Sequence, residues 1–295
     1  MHSARIIKRR IKTTKNIRQI TKAMEMVAAS KMRKAQLQAI RSKPYSNKLQ
    51  ESLRKLALST HHASHPLLRK NETGEHTAII IGPDKGLTGG MISNLLREAD
   101  QFSKMYHNAS NFQCITVGKK AREFAVKMGF SIMADFSNLP DSLSFEDTLP
   151  ISQLILDGYT NKSIRDVSII YMDFISTLIQ KSQVNQLLPM ALEISKKDTP
   201  QQLLEKDLAG RYEYVFEPGP KAILNWVLPY YVEIQIYQML LEAKASEHSA
   251  RMVAMKNANE NASEIISDLT LEYNKSRQAN ITNELLDITT ATYTS

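Results

Sequence analysis

The sequence predicts an α/β domain of βαβ rhythm inserted between two long terminal helices. Three observations predict it: where the helix breakers fall, where β-branched runs fall, and how small and apolar residues step along the two ends. Every one of the 10 glycines lies between Gly74 and Gly219, and of the 10 prolines only Pro44, Pro66, Pro220 and Pro229 fall outside that window. The breakers mark off a middle, and each end is free to run as an uninterrupted helix. At 295 residues, 42% hydrophobic and 23% charged, the chain is large enough to bury a sizeable core in one or two domains.

The first element is a helix over residues 3 to 58, about 80 Å long at the α-helical rise. A helix of that length gains most of its stability by burying a face against a partner, and the natural partner is the other end of the chain. Ile17, Ile20, Met24 and Val27 step by three, four and three, the spacing of a short coiled-coil seam. "HHASH" (61 to 65) follows; His61 and His65 stand four apart, but Pro66 comes at once and no acidic or Cys ligand stands near, so the stretch reads as a connector.

In the middle, "HTAIIIG" (76 to 82), "FQCITVG" (112 to 118) and "DVSIIYMDFI" (166 to 175) read as strands, with helices near 90 to 105, 119 to 128 and 147 to 160 between them. "QVNQLLPMALEI" (183 to 194) and "RYEYVFEP" (211 to 218) read as further strands, and Pro189 argues for an edge or a bulge. The last element is a helix over 230 to 292, about 95 Å long. Along it Ile281, Leu285 and Ile288 repeat the seam spacing, while Ala250, Ala254, Ala258 and Ala262 recur every fourth residue, matched by Ala28, Ala35 and Ala39 on the first helix. Small residues let two backbones approach closely.

Charge is unevenly divided. Residues 1 to 43 carry thirteen basic side chains against Glu25 alone, a net of +12, while residues 219 to 295 carry six basic and nine acidic, a net of −3. The last helix cannot neutralise the first, so part of that positive charge must face another molecule or water.

Several chemistries are disfavoured. No apolar run approaches the roughly 20 residues that span a bilayer, and "MHSARIIKRRIK" lacks the apolar stretch of a secretion signal. The single Cys114 excludes an internal disulfide and any CxxC pair. "GPDKGLTGG" (82 to 90) sits between a strand and a helix, yet matches neither GxxxxGK[ST] nor GxGxxG, because Leu87 stands where the former needs Gly. Its glycines are expected to serve tight turning rather than phosphate binding. His248, beside Glu247 on the last helix, reads as an exposed or interfacial polar residue, and no nucleophile, base and orienter set is visible. The chain is expected to catalyse nothing alone and to hold no metal or cofactor.

"RRIKTTKNIRQITKAMEMVAASKMRKAQ" (9 to 36), "DKGLTGG" (84 to 90), "EHSARMVAMKNANENASEII" (247 to 266) and "NKSRQANITNELLDI" (274 to 288) resemble, in order and spacing, the gamma subunit of F-type ATP synthase of bacterial type. The resemblance is close at both ends and looser in the middle. It departs at Thr88, where bacterial relatives commonly have Cys, and in the polar tail "TTATYTS".

The resemblance implies an antiparallel coiled-coil shaft, residues 1–60 and 219–295, standing in a ring of three alpha and three beta subunits. Residues 61–218 become a Rossmann-like foot that sits with epsilon on the membrane c-ring. The implied role is the central rotor stalk coupling proton flow to ATP synthesis, non-catalytic, peripheral to the cytoplasmic face of the bacterial inner membrane, with no nucleic acid bound and no direct membrane insertion. By position, Met24, Arg9, Arg10, Arg251, Gln278 and Thr282 are the implied contacts with the ring, and Tyr231 and Glu233 the implied contacts with the c-ring. The rival readings of the +12 segment are a nucleic-acid-binding coiled coil and a membrane-remodelling helical protein.

Overall fold

The computed structural model describes residues 4–59, 65–106, 112–190, 217 and 219–293. The elements are α1 (Ala4–Ser59), β1 (Glu75–Ile81), α2 (Met91–Lys104), β2 (Phe112–Val117), α3 (Lys119–Met128), β3 (Ser131–Phe136), α4 (Leu149–Thr160), β4 (Ile164–Phe174), β5 (Gln180–Leu188) and α5 (Pro220–Tyr293). They form two compact units, one of residues up to Ser30 and from Arg251 on, the other of Lys31–Ala250.

The larger unit holds a five-stranded sheet in the order β3-β2-β1-β4-β5, its first four strands parallel and β5 antiparallel at the edge. Pleating sends alternate residues of β1 to opposite faces. Ala78 and Ile80 pack with Met91, Leu95 and Ala99 of α2 and Ala121 and Ala125 of α3. Ile79 and Ile81 pack on the other face with Ile151, Ile155 and Tyr159 of α4 and with Leu224, Leu228, Val232, Ile236 and Leu240 of α5. Both faces are thus covered by helices, the arrangement that the apolar runs of the central strands require.

β3 was not anticipated: "SIMADF" is half-buried at the sheet's edge and mixes Asp and Ala into a short apolar run. β5 begins three residues before the expected strand and ends at Leu188, with Pro189 just past it; of the edge or bulge inferred from Pro189 both are present, since β5 is an edge strand and its pairing with β4 shifts register between Gln186 and Leu188. Residues 191–194 and the expected strand at 211 to 218, Glu217 apart, lie outside the described residues.

α5 starts ten residues before the expected helix and runs through Pro229. A proline inside a helix removes one hydrogen bond at a cost of about 3 kcal/mol. Leu224 and Leu228, one turn apart and 6% and 0% exposed, anchor the preceding turns in the core and offset that loss.

Within the larger unit, α1 pairs with α5 through polar contacts. The Gln238 amide donates to the Ala39 carbonyl at 3.4 Å and Gln235 to the Ser46 hydroxyl at 3.1 Å, while the Ser42 hydroxyl donates to Gln238 Oε1. Gln238 also donates to Glu242 at 2.9 Å, and the Tyr171 hydroxyl of β4 lies 3.4 Å from that carboxylate.

Burial pushes the Glu242 carboxyl above its ordinary range, with Asp173 adding to the shift and the Gln238 hydrogen bond and Lys43 opposing it. A raised folded-state value favours the protonated form. Its stabilising contribution is complete below the unfolded value and is lost as pH rises through the folded one. Glu242→Gln is therefore expected to stabilise the chain at neutral pH, by about 1 kcal/mol, with the gain fading near pH 4. Thermal melts across that range check it, and a gain that grew on acidification would contradict the sign.

In the smaller unit the two helices are antiparallel. Arg9, Arg10, Thr13 and Thr14 border one groove with Ile265 and Leu269, and Arg18, Gln19, Lys22, Ala23 and Met26 border another with Asn259 and Ser263. The face of α1 buried in this unit is Ile7, Thr21 and Ala28, with Thr14 half-buried between them. These positions recur every seven residues, as a seam does.

The seam is therefore not the one the large residues suggested, because Ile17, Ile20 and Val27 are 49%, 59% and 55% exposed. Ile20 and Val27 each precede a buried small residue by one position, which sets them about 100° round the helix from it. Likewise Ile281, Leu285 and Ile288 are exposed, whereas Met255 and Ala262 are buried. The expectation of alanine contacts holds at Ala262 and at Ala28, while Ala254 and Ala258 are half-buried.

Ala262→Leu inserts three carbons into a closely packed seam and is expected to cost roughly 1–3 kcal/mol, against almost nothing for Thr289→Ala on the exposed end. Helical melting followed by circular dichroism reads both, and equal midpoints would refute a tight seam at this point.

Candidate functional site

The Gly-rich turn shows how the sheet domain disposes of an anion site. Asp84 Oδ1 accepts the backbone N–H groups of Lys119, at the first position of α3, and of Asn138, both at 3.1 Å, and the Pro83 carbonyl accepts that of Lys120 at 3.0 Å. A carboxylate of the chain itself thus sits on the helix N-terminus, the place with the partial positive charge that would otherwise attract a phosphate.

The crevice at the carboxyl ends of the parallel strands, where open α/β sheets hold ligands, is occupied as well. Leu240, Ala243, Lys244 and Glu247 of α5 lie across Ile81, Val117 and Phe136, leaving a cavity of about 20 Å³, room for one water. In the same turn Thr88 is 2% exposed and its neighbour Leu87 is 60% exposed. Cys114 is buried in the sheet and burial pushes its thiol up to about 12.

His248, read from the sequence as exposed or interfacial, is not exposed: it is 2% exposed, and its Nε2 stands 3.6 Å from Asp141 Oδ1. His65 is no ligand in its local setting: its Nδ1 accepts the Leu67 N–H at 3.2 Å, and His61 lies outside the described residues. Among the described residues no group of His, Cys, Asp and Glu side chains is placed to hold a metal ion.

Of the residues singled out from the sequence, Met24, Arg9, Arg10, Arg251, Gln278 and Thr282 fall in the helix-pair unit, and Tyr231 and Glu233 in the larger one. Arg9 and Arg10 are exposed and border the groove with Ile265 and Leu269. Met24 and Arg251 are half-buried. Gln278 and Thr282 are exposed one turn apart, the Thr282 hydroxyl donating to the Gln278 carbonyl at 2.9 Å.

Tyr231 is half-buried against the core, and burial pushes its phenol up to about 12. Glu233 is half-buried too, and burial raises its carboxyl.

The exposed apolar residues were not identified from the sequence as a surface. Ile17, Ile20, Met26 and Val27 on α1, and Ile265, Leu271, Ile281, Leu285, Leu286 and Ile288 on α5, are all at least 48% exposed. The signal was present as a seven-residue recurrence of small and polar residues, Thr14, Thr21 and Ala28, running beside the large ones. A helix pair that buries Ile7, Thr21, Ala28, Met255 and Ala262 while displaying most of its other large apolar side chains offers apolar area to other chains.

A family model described as ATP synthase matches residues 3–293. Over 290 residues the chain is 43% identical to the ATP synthase gamma chain of Dehalococcoides mccartyi, an alignment covering 98% of this chain and 97% of that one. Over 292 residues it is 40% identical to the ATP synthase gamma chain of Chloroflexus aurantiacus, again over 98% and 97%. Among solved structures, a chain of the OSCP/F1/c-ring part of the Euglena gracilis mitochondrial ATP synthase superposes with a TM-score of 0.65, covering 98% of this chain and 93% of that one. At 20% identity that likeness bears on the fold alone.

Proposed function

Since the chain belongs to the ATP synthase gamma family, we propose that it is the central rotor stalk of a proton-translocating ATP synthase, a subunit that performs no chemistry itself. In this reading residues 1–60 and 219–295 are the shaft and 61–218 the foot. The partners are three alpha and three beta subunits round the shaft, with epsilon and the membrane c-ring at the foot. The complex sits at the cytoplasmic face of the bacterial inner membrane, with this chain attached peripherally. No helix among the described residues is long and apolar enough to cross a membrane.

The observation that carries the reading is the helix pair whose buried seam is built mainly of small residues, with most of its large apolar side chains and its basic side chains outside. Such a surface needs a housing. Rotation of a shaft changes the nucleotide affinity of a surrounding site only through contacts that differ between states, because equal contact with all three sites shifts none of them. The asymmetry is at hand, since the apolar stripe of α1 flanks one side of the seam and the basic side chains Arg9, Arg10, Arg18 and Lys22 border the grooves between the helices. Met24, Arg251, Gln278 and Thr282 are the proposed ring contacts, and Tyr231 and Glu233 the proposed contacts with the c-ring.

Affinity purification of the chain from its own cells tests this. The expected result is one copy with three alpha and three beta chains, retained through gel filtration. Recovery of the chain without them, or with nucleic acid in a salt-sensitive complex instead, would overturn it.

A further inference from the structure

The segment that follows β3, residues 137–145, lies along one stripe of α5. Phe145 packs edge-on against Tyr230 and Tyr237, with ring centroids 6.0 and 5.8 Å apart. The Tyr237 hydroxyl donates to the Leu143 carbonyl at 3.4 Å, and Lys244 Nζ donates to the Leu139 carbonyl at 3.5 Å. Asp141 Oδ1 faces His248 Nε2 at 3.6 Å.

Tyr230, Tyr237 and Lys244 are seven residues apart, so they share one face of the helix, and His248 continues it one turn on. The segment also reaches the other long helix, because Lys31 Nζ of α1 donates to Asp141 Oδ2 at 2.6 Å. Leu143, 1% exposed, pins the middle of the segment in the core.

We propose that residues 137–145 are a torque strap between the sheet and the two long helices, with Asp141 as its clip, held by Lys31 of α1 and facing His248 of α5. The proposal rests on the rotor reading and deepens it. Apolar burial is non-directional and resists sliding only through packing, whereas a charge-assisted hydrogen bond fixes a direction.

Lys31 and Asp141 are both substantially exposed, 42% and 52%, so the pair adds little to folding stability, and a conserved fold with altered transmission is the expected phenotype. Lys31 dominates the Asp141 environment: its hydrogen bond is the largest influence holding the carboxyl below the usual range, and His248 and Lys244 act in the same sense.

The test uses the complete membrane-bound complex with Asp141→Lys, Lys31→Asp, the double exchange and Asp141→Asn. ATP-driven proton uptake by inverted vesicles is measured per ATP hydrolysed. Each single reversal is expected to lower uptake per ATP by roughly threefold with hydrolysis within about twofold of wild type, and the double exchange to regain most of the loss.

If a reversal fails to assemble, Asp141→Asn decides, with the same direction of change expected. Unchanged uptake per ATP in the assembled single variants, or a loss that the exchange does not relieve, would overturn the strap. Coupled uptake by complexes lacking the chain altogether would instead overturn the rotor reading.

Discussion

Oxidation of a complex carrying Leu87→Cys, paired with a cysteine in a facing loop of a ring subunit, is expected to stop steady-state ATP hydrolysis, and reductant to restore it. The link forms where the two Cα atoms come within roughly 7 Å. It would tie this chain to one of three otherwise equivalent partners. A rotor so tied cannot visit the other two, whereas a static scaffold loses nothing.

Leu87 is the position of choice because it is 60% exposed, while its neighbour Thr88 is 2% exposed and could present a thiol to no other chain. The native thiol gives no background, since Cys114 is buried and its raised value leaves almost no thiolate at neutral pH. Turnover is read before oxidation, after it and after reduction, with the cross-linked fraction followed on a gel. Loss in proportion to the link supports rotation; full turnover at near-complete linkage refutes it.

The second large effect is structural. Gly118→Val is expected to leave the sheet domain unfolded, at a cost above about 3 kcal/mol, seen as loss of a cooperative thermal transition or as insoluble protein. Gly118 has φ +89°, and a Cβ there would lie 2.1 Å from the Gly82 carbonyl oxygen, backbone that cannot step aside. The crossing is tight because the Gly82 N–H donates to the Val117 carbonyl at 2.8 Å and the Gly118 N–H to the Phe136 carbonyl at 3.1 Å, which stitches the ends of three strands together. Gly129 supplies the control: its φ is +72°, yet a Cβ there would meet nothing within 4 Å. Gly129→Ala should therefore cost only the conformational term, about 1 kcal/mol. Equal losses at the two sites would show that the clash is not the cause.

What could be read in the sequence was whatever depends on local pattern. β1, β2 and β4 announced themselves by runs of Ile and Val buried on both faces, and α2, α3 and α4 by their place between them. β3 escaped because an edge strand is covered less fully and tolerates Asp135 and Ala134.

The seam escaped for a different reason. Seam spacing is normally sought among large apolar residues, and here Thr21 and Ala28 occupy it while Ile20 and Val27 stand beside it. The seven-residue recurrence of Thr14, Thr21 and Ala28 was there to be read, but which of the two stripes is buried is decided by the absence of room, a property of two backbones together. The clip at Asp141 joins residues distant in sequence through one carboxylate, and nothing local marks it. Arg9, Arg10, Gln278 and Thr282 are exposed, and no spacing in the sequence could have given that.

The exposed side chains of α5 have a consequence for the cell's economy of synthesis. Ile281, Leu285, Leu286 and Ile288 are 48%, 58%, 56% and 64% exposed within eight residues of one another. To a chaperone or a protease, a cluster of that kind on a finished molecule is the same signal that an unfolded molecule gives. A copy made in excess of its partners would leave that cluster uncovered, and it is expected to be cleared from the cell faster than an assembled copy, a difference that pulse-chase labelling with and without the partner chains would read.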